Sequence, residues 1–362
     1  MRTIKKSILF LTLCLISTFN LFAQSQDSID YKIGQMLLVG MNGQQVDEQL
    51  LTNVKQGKVG GVIFFEKNIT ASNSYINLKQ ATFTLHQAAP LPLFVAIDQE
   101  GGTVNRLKEK YSFPKSVTAE YLGEVNSLDS TRFYAQITAS TLAGLGFNVN
   151  FSPVVDLAIN KNNPVIAKYG RSYGDDPEKV AAHAAEVIDA HRAFDIVTVL
   201  KHFPGHGSSL EDTHLDIADV TEYWQREELT PYKLLLANGK VDAVMTAHIV
   251  NKQLDASGLP GTLSRKIMTG ILRDTLGHRG VIFSDDMQMH AIEKHFGLES
   301  AIILAIDAGV DVFIFSNNIQ NSEERTVDHV HGIIKKLIAD GKLTEDRIDA
   351  SYQRILQLKS RF

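Results

Sequence analysis

Residues 176–207 read DPEKVAAHAAEVIDAHRAFDIVTVLKHFPGHG, and three kinds of segment follow one another in them. Asp176 can accept from the amides of a first helical turn, and Pro177 suits the first helical position, where a missing N–H is no loss. Val180, Ala184 and Val187 then recur at helical spacing, which predicts a helix over 177–191. A run apolar on both faces follows at 197–200, as expected of a strand in a buried parallel sheet. It passes straight into Lys201-His202-Phe203-Pro204-Gly205-His206-Gly207, a polar segment that reads as a rigid loop because proline and glycine break any helix. The unit is helix, two-sided strand and polar loop.

Working outward, the unit repeats. Apolar runs at 36–39, 61–65, 93–97, 148–153, 243–247, 280–284 and 311–315 join 197–200 to make eight. Helical stretches separate them. In 327–338 a stripe of Val330, Ile333, Ile334 and Leu337 forms, and in 344–359 Ile348, Tyr352, Ile355 and Leu356 share a face. Eight strand–helix alternations match an α/β fold of the closed (β/α)8 TIM-barrel type. No internal repeat, low-complexity tract or linker divides residues 30–360, so one domain is expected. A doubly wound open sheet is the competing topology, but it normally carries a glycine fingerprint after its first strand. Gly144-Leu145-Gly146 follows a helical stretch and lacks the third glycine.

Residues 1–23 place Arg2, Lys5 and Lys6 before an apolar run from Ile8 to Ile16 and end in Leu21-Phe22-Ala23. This reads as a signal peptide, with an uncleaved membrane anchor as the competing reading. Cleavage after Ala23 leaves residues 24–362, 339 of the 362, and takes the formal net charge from −5 to −8. It also removes Cys14, the only cysteine. A mature chain without cysteine has no disulfides, zinc–thiolate site or thiol nucleophile. An acidic chain without a basic stretch is unsuited to nucleic acid. No second run of 18 apolar residues occurs, so no stable membrane insertion is expected after cleavage. The expected location is periplasmic or secreted.

Polar residues gather where strands end. The 93–97 run leads into Asp98-Gln99-Glu100-Gly101-Gly102, the 243–247 run into His248, and the 280–284 run into Asp285-Asp286. Charges placed directly after buried strands are costly to desolvate unless a site uses them. In a barrel these positions form the C-terminal rim, where active sites are built. A single such aspartate often only caps a helix; four strand ends alike point to a site. His202 and His206 are four apart, but Pro204 and Gly205 interrupt the helix that zinc ligation at that spacing needs. A metal-dependent barrel hydrolase using His202, His206, His248 and Asp285 is the rival reading; the favoured one assigns neither metal nor cofactor. Asp212 and His214 are separated by one residue, and in an extended segment they would point the same way. Such contact fixes the imidazole tautomer and raises its pKa toward the range useful for proton transfer.

The strings KHFPGHG at 201–207, DQEGG at 98–102 and Ser284-Asp285-Asp286-Met287 together resemble glycoside hydrolase family 3, and most closely its single-barrel β-N-acetylglucosaminidases. The likeness spans nearly all of residues 30–360. It implies a retaining exo-glycosidase acting on terminal β-linked N-acetylhexosamine, with a covalent glycosyl-enzyme on Asp285. It further implies His214 as acid/base assisted by Asp212, and substrate binding by Asp98, Arg106, Arg171, Lys201 and His202. The larger β-glucosidases of that family take their acid/base from a second α/β domain, which is not expected after Phe362. A β-glucosidase or β-xylosidase specificity is the alternative within the family, and phosphorolysis stays open beside hydrolysis. Thr103 stands where arginine is frequent, and Ser208-Ser209-Leu210-Glu211 replaces a more polar approach to Asp212. Peptidoglycan fragments, chitooligosaccharides and other glycans all fit as substrates.

Overall fold

The computed structural model describes residues 28–213, 215–318 and 327–362. The expected signal peptide at 1–23 and His214 lie outside the described residues. Eight parallel strands form the frame: β1 Leu37–Gly40, β2 Gly61–Phe64, β3 Phe94–Ile97, β4 Val149–Asn150, β5 Val197–Phe203, β6 Ala243–Thr246, β7 Val281–Asp286 and β8 Val312–Phe315. Each pairs with its sequence neighbours, and β1 pairs with β8 through Leu37↔Phe313, so the sheet closes on itself. This is the (β/α)8 barrel expected from the eight apolar runs. Phe94 on β3 and Phe283 on β7 are not sheet neighbours, yet their ring centroids are 5.7 Å apart. They meet across the lumen, with Phe151 5.6 Å from Phe283. The barrel interior is packed, not open.

The helices lie between strands as the spacing predicts. Pro177–Arg192 starts on Asp176, whose carboxylate accepts from the amides of Glu178 and Lys179. Glu345–Lys359 starts on Thr344, which caps Arg347 N. Three strand limits differ from expectation. The run at 148–153 pairs only over Val149–Asn150, because Pro153 has no N–H to donate; Val155 N then donates to Lys201 O at 2.9 Å. β5 continues through Phe203, so Lys201 and His202 are strand residues and the loop begins at Pro204. β7 likewise runs on through Asp285 and Asp286.

The N-terminal end of the barrel is closed by two buried charges. Lys359 donates to Gln35 Oε1 and Gly60 O, both at 2.8 Å, and its ammonium lies 4.6 Å from the Phe94 ring centroid. Asp311 accepts from Arg273 at 2.7 Å, Arg354 at 2.9 Å and Ser351 at 2.7 Å. These are scaffold interactions. The chemistry sits at the opposite end.

Candidate active site

At the C-terminal rim a cavity of about 510 Å³ is lined by Asp98, Glu100, Arg106, Arg171, Lys201, His202, Asp285 and Asp286, with Phe65, Met289 and Leu215 among its apolar walls. Six residues singled out in the sequence, Asp98, Arg106, Arg171, Lys201, His202 and Asp285, therefore converge. They come from four different strand ends, which is how a parallel barrel gathers distant residues.

Four of the lining side chains form one ion cluster. Lys201 Nζ donates to Asp98 Oδ1 at 2.8 Å and to Glu100 Oε1 at 2.6 Å. Arg171 grips Glu100 in a bidentate fork, with Nε to Oε2 and Nη2 to Oε1 both at 2.8 Å. Arg106 reaches Asp98 Oδ2 at 3.4 Å and lies 5.6 Å from the Phe65 ring centroid, within cation–π range. Burial alone would raise the Asp98 carboxyl, but the charges of Lys201 and Arg106 outweigh it and hold it below its ordinary value. Glu100 is buried too, and Arg171 and Lys201 hold it well below the usual carboxylate range. The cluster is ionised at every working pH.

The Arg106 position depends on how residues 98–107 fold back. Gln99 Oε1 accepts from the amides of Arg106 and Leu107 at 3.0 and 3.1 Å. Gln99 Nε2 donates to Asn105 Oδ1 at 2.6 Å. A buried amide side chain thus clamps the loop and turns Arg106 toward Asp98.

Asp156, which the sequence reading did not single out, orients His202. Its carboxylate accepts from His202 Nδ1 at 2.7 Å and from the His206 amide at 2.8 Å. The network assigns the ring proton to Nδ1, leaving Nε2 to accept from Arg171 Nη2 at 3.3 Å. Desolvation opposes ionisation of Asp156, yet His202 keeps its carboxyl below the ordinary value.

Asp285 is fixed through its backbone. Its amide donates to Thr246 Oγ1 at 3.1 Å, Thr246 pairs with Thr262 at 2.7 Å, and Thr262 meets His248 Nδ1 at 2.7 Å. His248 Nε2 donates to Asp286 O at 2.9 Å. His248 thus supports the β7 end instead of facing the cavity. Asp286 N donates to Asp285 Oδ1 at 2.8 Å. The Asp286 carboxyl accepts from Ser316 and from Gln288 N, and burial pushes it up to about 6, with the charge of Asp285 adding. Two adjacent carboxyls therefore occupy different environments.

Asp212 is not among the cavity-lining residues. The extended segment expected around it is a turn instead: Asp212 O accepts from Leu215 N at 3.0 Å and from Asp216 N at 3.2 Å. That turn docks on the helix His290–Phe296, where Lys294 Nζ donates to Leu215 O at 3.0 Å and His295 Nε2 lies 2.6 Å from Asp216 Oδ1. The docking explains why the backbone curls here, and it brings Leu215 onto the cavity wall.

A parallel barrel whose rim presents a carboxylate beside a cluster of fixed charges in a polar cleft is of the hydrolase-barrel class. The model of the glycosyl hydrolase family 3 N-terminal domain matches residues 28–358. A β-hexosaminidase of Xylella fastidiosa (strain M23) is 37% identical over 286 residues, which cover 77% of this chain and 82% of that one. Among solved structures, the family 3 β-N-acetylglucosaminidase of Paenibacillus sp. str. FPU-7 superposes with a TM-score of 0.85 at 32% identity, over 92% of this chain but 62% of that one. A β-N-acetylhexosaminidase of Beutenbergia cavernae DSM 12333 gives a TM-score of 0.80 at 27% identity, covering 92% and 98%. The chain belongs to glycoside hydrolase family 3. It is a glycosidase, similar to β-hexosaminidases.

Proposed function

We propose that the protein is a retaining exo-β-N-acetylhexosaminidase that removes terminal β-linked N-acetylglucosamine, with Asp285 as nucleophile and His214, assisted by Asp212, as acid/base. The observation that carries this reading is the convergence of Asp285 with the Asp98–Lys201–Glu100–Arg171 cluster in one cavity. The β-hexosaminidase names of the relatives support the choice of sugar.

The chemistry follows from what each group offers. A carboxylate oxygen of Asp285 attacks the anomeric carbon as the bond to the leaving oxygen breaks, and His214 gives that oxygen its proton. In the second half, water attacks the same carbon, His214 takes its proton, and the carboxylate of Asp285 departs. Retaining enzymes commonly use a carboxylic acid for the second role. An imidazole repels an incoming anion less, which leaves inorganic phosphate able to compete with water. Asp98 supplies an acceptor for sugar hydroxyls, while Lys201, Arg106 and Arg171 supply donors. A pocket with these groups already ion-paired needs little reorganisation when the oxocarbenium-like transition state forms. The leader at 1–23 supports export of the enzyme, so the natural substrates we favour are wall fragments or other external glycans.

A panel of 4-nitrophenyl β-glycosides tests the specificity. The N-acetylglucosaminide is expected to be cleaved fastest, and Asp285→Ala to abolish that cleavage. Preference for the glucoside or xyloside would reassign the sugar, and wild-type rates in the variant would remove Asp285 from its role. Full activity after exhaustive chelation is expected; its loss would favour a metal-dependent hydrolase.

A further inference from the structure

The loop leaving β5 carries Asp212 and His214, and its first arm rests on two buried carboxyls. The His206 amide donates to Asp156 Oδ1 at 2.8 Å, and the Gly207 amide donates to Glu228 Oε2 at 2.9 Å. Glu228 sits in the short turn Arg226–Leu229, where its Oε1 also accepts from Gln225 N at 3.4 Å. It is 1% exposed. The arm crosses it with no room to spare: a Cβ on Gly205, whose φ is +116°, would lie 2.7 Å from Glu228 Cβ. On the other side a Cβ on Gly207 would lie 1.7 Å from Leu157 O. The carbonyls of His206 and Gly207 are taken by Asn163 Nδ2 at 2.7 and 3.1 Å. The arm is thus clamped from three directions, and Glu228 is the one ionisable clamp whose neighbour is another carboxylate and not a cation.

The groups that face Glu228 are Asp156 from the segment after β4, His206 and the Ser208 hydroxyl from the loop, and Tyr232 from the following helix. Arg171 and His202 face Asp156 from its far side. Desolvation pushes the Glu228 carboxyl up to about 7, and the charge of Asp156 adds to this, against the pull of the Gly207 and Gln225 amides. Tyr232 is driven upward by burial, and burial pushes His206 down to about 4. Neither of these two changes charge near neutrality.

We propose that Glu228 is a positioning residue of the catalytic loop: as a neutral acid it holds the Gly207 amide, and on ionisation it lets the 205–216 segment loosen. This rests on the reading that the loop carries the acid/base. An anion here lies beside Asp156 in a dry site, and its relief is to swing toward water, which takes the acceptor away from Gly207. Loop order then falls as pH rises through the Glu228 pKa, while the barrel stays folded.

Hydrogen exchange on the full chain tests this, with peptides covering 205–216 followed from pH 5.5 to 8.5 and corrected for intrinsic exchange. In the wild-type protein, protection of that segment is expected to fall roughly tenfold through neutrality, the factor that one pKa unit of coupling supplies. Glu228→Gln keeps the acceptor and never ionises, so its profile is expected to be flat at the protected level. A flat wild-type profile, or an equal fall in the glutamine variant, overturns the proposal; if the variant does not fold, the wild-type profile alone decides. Turnover is measured on the same samples. Loop protection that responds as expected, with an alkaline loss of turnover that the glutamine variant does not shift, supports the Glu228 role and removes the acid/base from this loop.

Discussion

Glu100→Ala removes the carboxylate that Arg171 and Lys201 share, and the structure sets the size of the effect. Glu100 receives three charge-assisted hydrogen bonds, at 2.8, 2.8 and 2.6 Å, and its side chain is 6% exposed. After the change Lys201 keeps Asp98 at 2.8 Å. Arg171 keeps only Val165 O at 2.9 Å and His202 Nε2 at 3.3 Å, neither of them anionic. Stripping a buried cation of its partner costs about 3–5 kcal/mol. The retained Asp98 contact argues for the low end, about 3 kcal/mol. An unfolding entropy of about 2.1 cal/mol/K per residue over roughly 330 residues gives about 0.7 kcal/mol/K, so Tm falls by about 4 °C. If the same energy is felt in the transition state, kcat/KM falls roughly 150-fold. Scanning calorimetry at pH 7 and aryl N-acetylglucosaminide kinetics read the two numbers. Because Glu100 is held below the usual carboxylate range, its contribution is present above the unfolded pKa near 4.5 and is lost as pH falls through the depressed value. The Tm difference between wild type and variant is therefore constant from pH 6 upward and shrinks in acid. A Tm within 1 °C of wild type together with unchanged kcat/KM would refute this account of the cluster.

Three further outcomes follow from other parts of the molecule. Asp156→Asn takes away the charged partner of His202 and one anchor of the loop; the loss of a charge-assisted hydrogen bond, about 1.5–3 kcal/mol, predicts a roughly 10- to 150-fold fall in kcat/KM at little change in secondary structure. Lys359 is pushed down to about 7 by burial, so the folded state binds fewer protons than the unfolded one between that value and 10.5, and its contribution to stability rises with pH over that window; Lys359→Met is expected to flatten this rise in urea midpoints taken from pH 6 to 9. For His214→Ala, turnover of activated aryl glycosides is expected to suffer far less than that of a disaccharide, because a good leaving group needs little protonation; equal losses on both would argue against a general acid.

The barrel was legible because parallel strands buried on both faces leave unbroken apolar runs, and eight of these survive in the chain. The strand limits were less so. A run such as 148–153 says nothing of where Pro153 ends the pairing, and polar Lys201 and His202 disguise the continuation of β5. The cavity residues Asp98, Lys201, His202 and Asp285 were readable because charge directly after an apolar run is costly without a use. Asp156 carries the same signal, an aspartate within Val154-Val155-Asp156-Leu157 after the fourth run, and could have been found by the same rule. Glu228 could not. Its surroundings, Arg226-Glu227-Glu228-Leu229, look like a solvated helix start, and only the tertiary packing of the loop across it makes that carboxyl buried. The turn at Asp212 was also hidden, since the helix it docks on lies some eighty residues further along the chain.

The most direct test of the central claim is to identify the residue that bonds to the sugar. Incubation with 5-fluoro-N-acetylglucosaminyl fluoride, which slows release of the glycosyl-enzyme, followed by peptide mass spectrometry, reads that bond. The account predicts one glycosyl adduct, on Asp285 within the peptide spanning β7. An adduct on Asp286 or any other residue, or steady turnover of the fluoride with no adduct at all, would contradict it.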